Sequence, residues 1–180
     1  MRAGKGAPPQ STAGVGFTSQ GFDACVDYEV LPAAQDPRAS WIFAGVDEGV
    51  GERFGQEGQS GGAAGLEIDR ADHSLGTPRH ALRVAVADKF PHSYKRVGEE
   101  ALHAHSAVTG LNDPLIKADV VFYEMAGGGA VFATGSIAWA GALPPNGYDN
   151  SVARITQNVI ERFAAAEPFA APPVDGIAKL

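Results

Sequence analysis

Two carboxylates two residues apart, Glu67 and Asp69, close the stretch GGAAGLEIDR (61–70). Leu66 and Ile68 alternate with them, the period of a strand with one apolar and one acidic face. A carboxylate at the point where a glycine-rich loop feeds a strand is placed to act as a general base toward a polarised water. The same side chains also suit a solvated strand face, with Asp69 paired to Arg70 or Arg79. Spacing by itself favours the solvated face and leaves the catalytic reading open.

Other residues with chemistry are less well arranged. A phosphate cradle needs its glycines between a strand and a helix start, and the Walker form ends in Gly-Lys-Ser/Thr. GQSGGAAG runs into LEIDRAD instead, and GVGFTSQG (14–21) has no lysine and the wrong spacing for a dinucleotide fingerprint, so nucleotide binding is not expected. His103 and His105 would share one strand face and could chelate a metal, but no third ligand stands at a diagnostic spacing. On a helix they would point apart. Cys25 has no local nucleophile signature and reads as a small buried residue. Trp41 and Trp139 lie in apolar runs and read as core.

The elements that must position these residues are short. SWIFAGV (40–46), flanked by turn chemistry, reads as a buried strand. HALRVAVAD (80–88) alternates with Leu82, Val84 and Val86 on one side, again a strand. Within 117–141, apolar runs at Val120–Glu124 and Ala130–Thr134 flank AGGG, whose glycines suit a tight hairpin. PPNGYDN (144–150) reads as a turn at Asn146-Gly147 leading to a helix cap. The helix that follows carries Val152, Ile155, Val159, Ile160 and Phe163 on one stripe, with Asp149 or Asn150 as cap and Pro168 as stop. A shorter helix is expected near GEEALHAHS (98–106). The sum is a mixed α/β domain over 15–165, with a disordered or linker segment at 1–14 and a tail at 166–180.

Composition limits the partners. The 180 residues are 44% hydrophobic and 19% charged, a folded-protein profile, and the net charge of -7 without any basic cluster excludes a nucleic-acid or anionic-membrane partner. One cysteine allows no internal disulfide, and no apolar run is long enough to cross a bilayer as a helix. MRAGKGAPPQSTAG lacks the apolar centre of a secretory signal. A cytoplasmic location is the expectation.

Five segments in order, GVGFTSQGFD, DPRASWIFAGV, SGGAAGLEIDRADHSLGTPRHAL, ADVVFYEMAGGGAVFATGSIAWAGAL and YDNSVARITQNVIERF, together resemble the C-terminal region of the large (beta) subunit of the N,N-dimethylformamidase family, from about Pro8 to Phe163. The resemblance implies a three-layer α/β fold like that of class I glutamine amidotransferases, incomplete over this stretch. It implies an amidohydrolase that cleaves a small N-substituted amide, dimethylformamide, to dimethylamine and formate. Its cofactor would be a mononuclear iron held by two tyrosines and a glutamate that belong to upstream sequence, so no metal ligand is assigned here. A homo-oligomer with a small (alpha) subunit is the implied assembly. Glu67, in AAGLE, is the residue carried over as the catalytic carboxylate, and the isolated piece is expected to be inactive. The competing reading is a non-catalytic structural or assembly domain of the large subunit.

Overall fold

Short strands separated by glycine and proline turns pair antiparallel throughout the structure. The computed structural model describes residues 8–98, 101–102 and 108–172. In chain order the elements are α1 (Gln10–Ala13), β1 (Gly16–Gln20), β2 (Tyr28–Val30), β3 (Arg53–Phe54), β4 (Glu67–Arg70), β5 (Leu82–Ala87), β6 (Lys95–Gly98), β7 (Ala101–Leu102), β8 (Ala118–Glu124), β9 (Ala130–Ala133) and α2 (Ser151–Ala164). The strands form a four-stranded sheet, β4-β1-β6-β7, and a five-stranded sheet, β3-β2-β5-β8-β9.

The second sheet is the core. All seven residues of β8 are buried, because helix α2 and the turns around Ile42 cover one face while Val15 and Ala71 meet Val121 on the other. A strand covered on both faces loses its alternation, and the two carboxylates in ADVVFYE, Asp119 and Glu124, are buried and paired with Arg83 and Arg38. The β8–β9 hairpin pairs Glu124 with Ala130 and Val121 with Ala133 around the expected glycine turn, where Gly128 takes φ +85°. Tyr28 stands edge-on to Trp139 at 5.5 Å and stacks on its strand partner Phe54 at 5.7 Å, and Trp139 Nε1 donates to Thr156 on α2 at 3.0 Å, so sheet and helix share one aromatic cluster.

Helix α2 begins where its sequence indicates. The Asn150 side chain accepts from the Ala153 N–H at 2.9 Å and donates to the Leu143 and Pro145 carbonyls. Val152, Ile155 and Val159 are buried. The turn before it holds Asn146 and Gly147 at φ +55° and +65°. Beyond α2 the chain folds back: Phe169 packs on Trp41 and Phe122, Arg162 lies 3.9 Å over its ring, and its N–H donates to Gly128 O.

Three expectations need correction or qualification. SWIFAGV is not a strand: Ser40–Phe43 is a 3-10 turn that buries Ile42 while Trp41 Nε1 donates to Arg38 O, three residues back. A four-residue apolar run satisfies either geometry, and here the carbonyls 36 and 39 close the turn before any strand partner is reached. The helix expected near 98–106 is absent where the chain is described, since Val97 and Gly98 pair with Leu102 and Ala101 as a hairpin; His103 and His105 lie outside the described residues. Within 1–14 the described part contains one helical turn, Gln10–Ala13, ended by Gly14 at φ +78°. The mixed α/β composition stands, with two antiparallel sheets and a C-terminal helix. Among the described residues no helix is long and apolar enough to cross a membrane.

Candidate functional site

The glycine-rich stretch before Glu67 is a backbone packed against backbone. Val26 and Ala64 exchange both hydrogen bonds, at 2.7 and 2.9 Å. A Cβ on Gly62 would stand 2.2 Å from Val26 C and O, so only glycine admits this approach. Gly65 is nearly as tight against a side chain, with its would-be Cβ 2.3 Å from Cys25 Sγ.

Two distant side chains then clamp the two peptides that precede the carboxylate. Ser136 Oγ accepts from Gly65 N–H and donates to Gly65 O, both at 2.8 Å, and also caps Ala138 N–H. Tyr94 OH accepts from Leu66 N–H at 2.9 Å and donates to Ala24 O at 3.0 Å. The clamp holds Leu66 at φ +64°, a left-handed conformation that a γ-branched residue adopts only when its surroundings over-determine it. Leu66 O in turn accepts from Gly21 N–H at 3.0 Å.

From this bend β4 runs out with Ile68 fully buried and Glu67 exposed, the expected alternation. Gln20 on β1 lies opposite Glu67, and Lys95 on β6 lies opposite Gln20, so three polar side chains form one row across the sheet. Phe17, 40% exposed, lies opposite Asp69. The outer edge of β4 is closed by the segment after β9, where Asp69 N–H donates to Gly135 O at 2.8 Å. Asp69 is half-buried, and its carboxyl is raised above the ordinary aspartate value by burial first and by the charge of Glu67 second.

The anticipated pairing of Asp69 with Arg70 or Arg79 does not form. Successive side chains on a strand point to opposite faces, and the Arg70 guanidinium meets Asp72 at 3.0 Å on the other side. Among the described residues no hydrogen bond or ion pair reaches the side chain of Glu67 or Asp69. Cys25 is buried beside Gly65 and Tyr94, and burial pushes its thiol up. A thiol held protonated is a poor nucleophile, in keeping with its reading as a packing residue.

The three buried tyrosines do not fit an iron centre with tyrosinate donors. A phenol must lose its proton to ligate, yet Tyr28, Tyr94 and Tyr123 are buried and donate their hydroxyl protons to Thr134 O, Ala24 O and Thr12 O. Burial raises all three, Tyr94 to about 12. Among the described residues no three His, Cys, Asp or Glu side chains converge on a point. Clefts of about 340 Å³ beside Asp47 and Arg154, and of about 540 Å³ beside Arg83 and Lys117, do not include Glu67.

Tyr94 and Ser136 carry no signal in the sequence that singles them out. They stand 28 and 71 residues from the peptides they hold. The same is true of Asp119, a buried carboxylate that accepts from Ala71 N–H at 2.9 Å and pairs with Arg83 at 3.3 Å behind β4.

A family model described as N,N-dimethylformamidase beta subunit-like, C-terminal, matches residues 1–150. The N,N-dimethylformamidase beta subunit of Paracoccus aminophilus is 39% identical over 166 residues, which is 92% of this chain and 22% of the relative. That of Alcaligenes sp. is 37% identical over 166 residues, with the same coverage. The chain spans 22% of the length of these curated relatives.

Proposed function

Because this chain belongs to the N,N-dimethylformamidase beta subunit-like family, in its C-terminal region, we propose that it delivers Glu67 as the general base of an amide-hydrolysing site completed by residues outside it. The observation that carries the reading is the clamped bend. Two buried hydroxyls hold a left-handed Leu66, and the next side chain is an exposed carboxylate with no partner among the described residues. Backbone strain and an unpartnered charge at one point are a combination that stability alone does not favour.

The chemistry assigned to this chain is one proton transfer. Glu67 takes a proton as water adds to the carbonyl carbon of a small N-substituted amide. A fixed carboxylate contributes about 10²–10⁴-fold in this role. Rigid mounting matters because a base displaced by about 1 Å loses much of that factor.

The walls of the substrate pocket, the iron and its ligands are assigned to the remainder of the beta subunit, together with the three-layer amidotransferase-like arrangement. The relatives are named as a beta subunit, one part of a larger enzyme, and we extend to this chain a small alpha partner and self-association. A lone unpaired thiol suits a reducing, cytoplasmic setting.

A chimera tests the reading: this chain replaces the matching segment of the Paracoccus aminophilus beta subunit, co-produced with its small subunit. Glu67→Gln is expected to lower kcat for dimethylformamide by about a hundredfold or more, with KM and assembly unchanged. Full turnover with disturbed assembly would instead establish a docking domain. The chain by itself is expected to bind no stoichiometric iron after reconstitution, measured by elemental analysis.

A further inference from the structure

Asp69 is an anomaly in this fold. Other buried or partly buried carboxylates on the strands and in the turns beside them are partnered: Glu29, Asp119 and Glu124 on strands by Arg53, Arg83 and Arg38, and Asp27, Asp72 and Asp113 in turns by Arg53, Arg70 and Arg96. Asp69 is half-buried, and among the described residues nothing donates to its side chain. A desolvated carboxylate with no donor is costly in the ionised form, and such groups concentrate where chemistry uses them.

Its place makes the use specific. Asp69 and Glu67 lie on the same face of β4, two residues apart, so their Cα atoms are separated by about 7 Å. That leaves room for one water and one small planar group. The two environments differ: Glu67 stands in the open, and Asp69 sits between Phe17 and the segment that crosses at Gly135. Two carboxyls whose surroundings differ in this way divide into a base and an acid.

We propose that Asp69 is the acid partner of Glu67, a second catalytic carboxyl that protonates the leaving nitrogen of the amide. The inference rests on the reading of Glu67 as base. Water adds to the carbonyl carbon as Glu67 takes one of its protons. The C–N bond then breaks as Asp69 gives its proton to nitrogen, and the proton on Glu67 returns through solvent to Asp69. The sum is amide plus water to carboxylic acid plus amine, with both carboxyls restored.

The groups that face Asp69 are consistent with a retained proton. Glu67 on its own strand repels its negative form, and β1 presents the apolar Phe17. The crossing segment brings Gly135 and Ser136, which carry no charge. From β2 the buried phenol of Tyr28 is near enough to feel the Asp69 charge. Lys95 stands two strands away across the sheet, in the row of Glu67, and donates to Val108 O.

Two measurements decide. In the 180-residue chain, isotope-labelled carboxyl signals are titrated by NMR: Asp69 is expected to titrate above the ordinary aspartate value, and to move down in Glu67→Gln. In the chimera, Asp69→Asn is expected to lower kcat about a hundredfold and to remove the alkaline limb of the kcat profile, with KM and assembly within about twofold of the parent. An Asp69 that titrates at or below the ordinary value overturns the proposal, and so does an Asp69→Asn chimera with parental kcat and pH profile. If Asp69→Asn does not assemble, the titration alone decides. An inactive Glu67→Gln beside an active Asp69→Asn keeps the base and removes the acid, whereas an active Glu67→Gln removes both.

Discussion

Tyr94 uses one oxygen for two backbone groups, and at the scale of single residues it is the most informative position outside the carboxylate pair. Tyr94→Phe keeps the ring against Phe90, 4.5 Å away, but leaves Leu66 N–H and Ala24 C=O unserved. A buried group left without its partner costs about 1–3 kcal/mol. The expected outcome is a lower denaturant midpoint, with faster amide exchange at Leu66 than at Ile68; unchanged exchange would show that the bend does not depend on the phenol. Cys25 gives a second check. Buried, with its proton held tightly, it is expected to resist a thiol-alkylating reagent at neutral pH until denaturant is added. The burial of Cys25 was legible beforehand but the clamp was not: the motif GGAAGLE could be read, but which hydroxyls would hold it could not, because contacts across 28 or 71 positions leave no periodic trace.

At the scale of elements, α2 shows how far periodicity reaches. The cap, the start and the inner stripe of Val152, Ile155 and Val159 follow from spacing. Ile160 and Phe163, on the same predicted stripe, are 62% and 40% exposed, since the turns at Ile42 and Trp139 contact only part of that stripe. Asn150→Ala is expected to cost about 1–2 kcal/mol as a lost cap, and more if the donors to Leu143 O and Pro145 O also count. Asn150→Asp keeps the acceptor for Ala153 N–H and loses those donors, so its stability should fall between the two; equality with the parent would show the donors to be idle. β8 and β9 were readable for a different reason. A long apolar run, a glycine turn and a second run allow little but a hairpin, whereas SWIF is too short to choose between turn and strand.

At the scale of the whole molecule, pH separates the buried phenols from the carboxylates. Tyr94 is raised to about 12 from 10, and Tyr28 and Tyr123 are raised too. A folded-state value above the unfolded one means stability that is complete below pH 10 and is lost as pH climbs from there toward 12. On the acid side the signs oppose: Asp72, held low by Ser74 and Arg70 against its burial, contributes above the ordinary carboxyl value and is lost as pH falls. Asp119, raised by burial, contributes most at low pH and loses it as pH rises. The expected profile is therefore steep above pH 10 and shallow in acid, followed by circular dichroism with tyrosinate absorbance. In Tyr94→Phe the alkaline loss should be smaller; an identical alkaline limb would contradict the assignment.

The family, the hairpin of β8 and β9, the capped helix and the exposure of Glu67 on an alternating strand were all determined by local sequence, because each depends on spacing within about a dozen residues or on an ordered run of motifs. The left-handed Leu66, the two hydroxyl clamps and the isolation of Asp69 were decided only in three dimensions. Arg70 stands next to Asp69 in the chain, and sequence favoured their pairing. The pleat sends them to opposite faces, where Asp72 takes the arginine, and Asp69, on the face of Glu67, is left without a cation among the described residues.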